Sequence, residues 1–156
     1  MKKFFSIFLH LSIYAAIFGG ILWGVPHYLS SKFKTEHPMA AITSGSMWPS
    51  LKTGDLVFIE RVSKGDLKVG DIVVWQSATG FTIHRVVRLG DNSLTTKGDA
   101  NFTEDAPVQY SAVVGRAHLK KDGEPLRIPY AGMLSSVGLA LRTSAPWQPV
   151  VYERKE

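Results

Sequence analysis

The chain has 156 residues, which leaves room for a single compact domain with a modest core once one membrane segment is set aside. It contains no cysteine, and this excludes disulfides, thiolate metal sites and a Cys nucleophile together while leaving the redox compartment unread. The net charge of +5 suits nucleic acid or an anionic lipid surface; with Lys2 and Lys3 beside an apolar run, and no dense basic helix or aromatic-interleaved basic patch, the reading is lipid and no nucleic acid.

From Phe4 to Val25 the sequence carries no charge. As a helix rising 1.5 Å per residue, this stretch spans about 33 Å, enough to cross a bilayer. A cleaved secretory signal opens in the same way, with basic residues before an apolar stretch. This run, however, is longer than a signal's core of about 7 to 15 residues, and Trp23-Gly24-Val25-Pro26 lacks a small-x-small cleavage pattern. Residues 1–25 are therefore expected to be a retained membrane anchor. Lys32 and Lys34 beyond the run partly balance Lys2 and Lys3, but the amino terminus and Glu36 favour the N-terminus inside and the body on the extracytoplasmic or lumenal side.

Residues 26–40 contain two prolines and little periodicity and read as a linker. After Ala41 the pattern changes to short runs rich in Val, Ile, Thr and aromatics, at Leu56–Val62, Ile72–Gln76, Thr82–Leu89, Leu94–Lys97 and Ala112–Leu119. Gly-Asp pairs at 54–55, 65–66, 70–71, 90–91 and 98–99 punctuate these runs, where Gly admits positive φ and Asp bonds its own backbone. No strand-helix-strand unit is visible, so residues 41–131 are expected to form an all-β body around one core. Residues 132–156 are a C-terminal apolar segment and charged tail. The apolar stretch Ile128–Leu141 is too short to span a bilayer and is expected to close the core or lie along the membrane.

The chemistry centres on Ser44-Gly45-Ser46-Met47-Trp48-Pro49. A serine hydroxyl is a poor nucleophile until a base takes its proton, and histidine is the natural base near neutral pH. His10 lies in the apolar run, His27 and His37 in the linker, and His118 at the end of a strand beside a basic turn. His84 alone lies mid-strand, in Thr82-Ile83-His84-Arg85-Val86. A third member, a carboxylate, would fix the imidazole tautomer and stabilise its cation. Asp99 and Asp105, both in the stretch from Lys97 to Asp105, are the candidates. There is neither a Gly-rich phosphate loop nor a His or carboxylate pair at ligand spacing, so no cofactor and no metal is expected.

Taken in order, the serine segment, Gly54-Asp55-Leu56-Val57, Val69-Gly70-Asp71-Ile72-Val73-Val74, Ile83-His84-Arg85-Val86, Lys97-Gly98-Asp99-Ala100-Asn101 and Val114-Gly115-Arg116-Ala117 resemble the successive boxes of type I signal peptidases. With His84 before Arg85, where other members carry lysine, the chain resembles the endoplasmic-reticulum-like branch, which includes archaeal and spore-former enzymes. The resemblance implies an all-β peptidase fold shared with self-cleaving repressor proteins, joined to one N-terminal transmembrane helix. It also implies a membrane-bound serine endopeptidase that removes signal peptides from exported preproteins. Ser46 would be the nucleophile, His84 the general base, Asp99 and Asp105 the acidic positions, and Ser44 with Ser46 the oxyanion hole. The implied partners are preprotein signal peptides and the lipid bilayer, with the secretion translocon or accessory subunits as further candidates. Two departures stand out: Trp48 is a bulky aromatic in the serine box, suited to the lipid boundary or to the core, and Ala100 stands where the family often has Asn. The rival functions are a self-cleaving or dedicated maturation peptidase, whose own site would lie near Met39-Ala40-Ala41, and a non-catalytic membrane-tethered adaptor.

Overall fold

The structure is a computed structural model that describes residues 2–78 and 80–133; most of the C-terminal segment and tail, from residue 134 on, lies outside the described residues. Among the described residues, the long α-helix α1 (Lys2–Phe33) is followed by eight strands: β1 (Met39–Ala41), β2 (Leu56–Glu60), β3 (Ile72–Ser77), β4 (Gly80–Leu89), β5 (Ser93–Lys97), β6 (Val108–Gln109), β7 (Val113–Ala117) and β8 (Arg127–Ile128). The body is thus all-β behind an N-terminal helix, as the short β-prone runs led one to expect.

Helix α1 holds a window of mean hydropathy 1.9 and is the one helix among the described residues long and apolar enough to cross a membrane. It runs past Pro26, where the sequence suggested that a linker began. Proline removes one N–H donor from the ladder, and a helix survives this when its far end is held by packing. Here the far end is held. Phe33 is buried against the rings of Phe58 and His118, and its carbonyl accepts the Arg61 N–H at 2.9 Å. Lys34, with φ of 53°, then ends the helix. At the end of the expected linker, Met39 and Ala40 instead belong with Ala41 to strand β1, paired with Leu56–Phe58 of β2.

The strands pair in the order β1-β2-β7-β3-β4-β5-β6, with β8 also on β2, and every pairing is antiparallel. Strand β3 separates two apolar clusters and explains why Ile72-Val73-Val74 reads as an unbroken apolar run: a strand covered on both faces has no polar side to show. Ile72 and Val74 join Ile42, Met47, Leu51, Val57, Ile59 and Ala117 on one side. Val73 joins Leu67, Val86, Leu94 and Val108 on the other. At the last described turn the Gly132 N–H reaches the Gly54 carbonyl at 2.9 Å, so the start of the C-terminal segment packs on the body.

Candidate active site

The segment carrying Ser46 is pinned by its neighbours. Met47 and Leu51 are completely buried in the first cluster, and the Leu51 N–H bonds the Met47 carbonyl at 2.9 Å. Burying the residue after Ser46 leaves the serine itself at the surface of the loop, only half-buried. From the other side the Ala100 N–H donates to the Ser46 carbonyl at 2.8 Å. That close approach is why residue 98 is glycine: a Cβ there would lie 2.7 Å from the same carbonyl oxygen.

His84 comes from β4, buried, opposite Val73 of β3. Its Nε2 lies 3.1 Å from Ser46 Oγ and its Nδ1 2.6 Å from Asp105 Oδ2. Ser44 Oγ lies 3.2 Å from Ser46 Oγ. A hydroxyl, an imidazole and a carboxylate therefore stand in one line of hydrogen bonds, the arrangement that lets an imidazole take a proton from a serine while its other nitrogen is held by an acid.

The two candidate acids have different partners. Asp105 faces the imidazole. Asp99 instead takes a two-pronged pair from Arg85, with Nε to Oδ1 and Nη2 to Oδ2 both at 2.8 Å. Arg85 also donates to Ser50 Oγ at 3.0 Å and to the Gly70 carbonyl at 2.8 Å, so Arg85 and Asp99 together brace the serine segment, β4 and the acidic loop. Burial works against ionisation of Asp99, but the hydrogen bonds from Arg85 and Ser50 outweigh it and hold the carboxyl below its ordinary range. A depressed folded-state pKa adds stability above the unfolded value of about 3.9 and loses it as pH falls through the folded value. The melting temperature of Asp99→Asn is accordingly expected to lie below wild type at pH 7 and to converge on it as pH drops below about 4.

Thr96 escaped sequence reasoning, because a threonine inside a β-prone run looks like any other strand residue. It is completely buried, and its Oγ1 donates to Asp105 Oδ2 at 2.6 Å, the same oxygen that meets His84. The Asp105 N–H returns to the Thr96 carbonyl at 2.8 Å. The register explains this convergence. Thr96 of β5 is paired with Val86, so His84, two residues along the same face, is its diagonal neighbour. Thr96 is a positioning residue for Asp105. We expect Thr96→Val to lower kcat about tenfold with KM little changed and Thr96→Ser to restore it, since a hydrogen bond to a charged group is worth about 1.5–3 kcal/mol.

The other histidines are elsewhere: His27 stacks on Trp23, His37 lies against Phe81, and His118 pairs with Glu60. Lys52, Lys64 and Lys68 are exposed and Lys97 is half-buried, so none of these lysines is desolvated as a base would need to be. Trp48 is exposed beside the serine and does not pack in the core. A cleft of about 160 Å³ opens at Ser46 and His84, walled by Ala40–Ser44 on one side and by Val74 and Phe81–Ile83 on the other. No group of three or more His or acidic side chains placed to hold a metal occurs among the described residues.

A model of the Peptidase S24-like family matches residues 25–104. The signal peptidase complex catalytic subunit SEC11C of Homo sapiens is 30% identical over 118 residues, an alignment covering 66% of this chain and 58% of that protein. The signal peptidase complex catalytic subunit SEC11 of Eremothecium gossypii is 32% identical over 131 residues, covering 78% of this chain and 70% of the relative. The corresponding subunit of Scheffersomyces stipitis is 40% identical over 77 residues, 46% of each chain. The chain thus spans 58% of the length of the mammalian relatives it matches.

Proposed function

We propose, since the chain belongs to the Peptidase S24-like family, that it is a membrane-anchored serine endopeptidase removing signal peptides from exported preproteins after small-x-small sites. The observation that carries this reading is the contact of 3.1 Å between His84 Nε2 and Ser46 Oγ at the mouth of a cleft. The names of the relatives, catalytic subunits of signal peptidase complexes, supply the substrate class and the expectation of accessory subunits.

In the proposed reaction Ser46 Oγ attacks the scissile carbonyl carbon as His84 Nε2 takes the hydroxyl proton. Asp105, held by Thr96, fixes the imidazole through Nδ1 and faces the cation that forms. The Ser46 N–H and the Ser44 hydroxyl stabilise the oxyanion; a donor of this kind typically contributes about 10² to 10³ in rate. The tetrahedral intermediate expels the amine, which receives the proton from His84, and leaves an ester on Ser46. A water deprotonated by His84 then hydrolyses the ester. Asp99, engaged by Arg85, has a bracing role.

Substrate binding follows from sheet edges. Among the described residues, strand β1 ends the strand order and β4 pairs with β5 only from Arg85 onward, so residues 81–84 keep one edge open there. Both border the cleft. An extended peptide can take main-chain bonds there while a cleft of about 160 Å³ admits only small side chains beside the scissile bond. The near match to a self-cleavage site, Met39-Ala40-Ala41, is itself β1 with its backbone already paired to β2, which disfavours a self-cleaving role.

Anchoring by α1 with the body outside the cytoplasm would hold Ser46 close to the bilayer surface where preproteins emerge. The test is incubation of the detergent-purified chain with a preprotein carrying an Ala-x-Ala site and with the same preprotein bearing a bulky residue immediately before the scissile bond. Cleavage of the first alone is expected. Cleavage of neither, with or without membrane extract to supply accessory subunits, would refute the assignment.

A further inference from the structure

A second and larger groove, about 1110 Å³, lies where α1 meets the body. Its walls include Ser30, Lys34 and His37 from the helix end and the segment after it, and Arg61, Tyr110 and Ser111 from the body. The catalytic reading leaves this groove unused.

Two of its cations lack partners. Arg85, Arg88, Arg116 and Arg127 each hold a carboxylate, whereas Arg61 has no ion pair among the described residues. The acid next to it in sequence, Glu60, is already bound by Arg116 and His118. Lys34 has none either, although Lys32, two residues before it, lies over the Tyr28 and Phe33 rings. The one acid in the lining is Glu36, so the groove keeps a net positive charge. Arg61 is held in place through its backbone, by the bond from its N–H to the Phe33 carbonyl.

The height of this groove relative to the bilayer selects its occupant. The charge-free run ends at Val25. Ser30 and Lys34 therefore stand about 8 and 14 Å further along the helix direction, at 1.5 Å per residue. The hydrocarbon layer is about 30 Å thick within a bilayer of about 40–45 Å, so these positions fall at and just beyond the headgroups. Trp23 and Tyr28, both exposed on α1, mark the same interface, where such rings are enriched. We infer that this groove binds the phosphate headgroup of an anionic phospholipid, with Lys34 and Arg61 as its cationic contacts and Ser30 and Ser111 as hydroxyl donors; the Tyr110 hydroxyl donates to the Gly90 carbonyl at 2.8 Å and only walls the groove. The lipid would fix how the body leans on the bilayer and hence how the Ser46 cleft meets a substrate leaving it. The inference needs α1 in a membrane but not the peptidase chemistry.

The test uses the full chain carrying Ser46→Ala, so that lipid binding is read without turnover. Binding of phosphatidylglycerol and of phosphatidylcholine to the detergent-purified protein is measured by native mass spectrometry. The variants are Lys34→Gln with Arg61→Gln and the charge-keeping pair Lys34→Arg with Arg61→Lys. A basic residue near an anionic surface contributes about fivefold, so the double Gln variant is expected to bind phosphatidylglycerol roughly 30-fold more weakly. The charge-keeping pair should bind like wild type, and phosphatidylcholine should bind weakly to all. Equal phosphatidylglycerol affinity in wild type and the double Gln variant would overturn the inference. So would inorganic phosphate displacing the lipid at equal concentration, because the site would then be one for free phosphate. Loss of lipid binding in a variant whose melting temperature is unchanged would support it.

Discussion

Ser46→Ala, His84→Ala and the double variant are expected to lose about the same activity, near 10⁶-fold in kcat, because nucleophile and base act as one unit and removing either disables the proton transfer. The geometry leaves little room for substitution. Ser46 Oγ meets His84 Nε2 at 3.1 Å, and the other hydroxyl nearby, Ser44, is 3.2 Å from Ser46 Oγ with no hydrogen bond to the imidazole. The residual rate should come from the oxyanion donors and peptide binding and so keep its preference for small residues before the scissile bond. Steady-state cleavage of a preprotein by all three variants checks this. Losses that multiply, giving the double variant far less activity than either single one, would mean that the two residues act independently. Full activity of His84→Ala would remove the proposed base altogether.

Asp105→Asn is the second large effect, about 10⁴-fold in kcat, as expected when the acid behind a catalytic imidazole becomes an amide that favours the wrong tautomer. Asn is close to Asp in size, and the Asp105 N–H to Thr96 carbonyl bond uses the main chain, so the fold should tolerate the change. Asp99→Asn makes the natural comparison: it disturbs the Arg85 pair and should act mainly on stability, with a much smaller loss of kcat. Kinetics and melting curves of the two variants side by side separate these roles. If Asp99→Asn cost the larger share of kcat with the fold intact, the assignment of the acids would be reversed.

Several of these features were legible because they are local. A charge-free run long enough for a bilayer, β-prone runs cut by Gly-Asp turns, and a small Gly-containing segment around Ser46 each depend on residues close together in the chain. The extent of α1 was not legible. Pro26 and the charges after it look like a break, and only the burial of Phe33 under Phe58 and His118 carries the helix through to residue 33. The same holds for β1, too short to show a period, which exists because Leu56–Phe58 offers it a pairing edge.

Sequence by itself determined the kinds of group available: two serines flanking a glycine, one mid-strand histidine, and two aspartates six residues apart. It left the aspartates equivalent, since both follow strand β5 in the same loop. Tertiary structure chose between them. Arg85, which alternates with His84 along β4 and so projects to the other face, captures Asp99, while Thr96 and His84, sharing a face across the β4–β5 register, converge on Asp105. Which strand lies beside which, and in what register, is a property of the folded sheet, and no spacing along the chain encodes it.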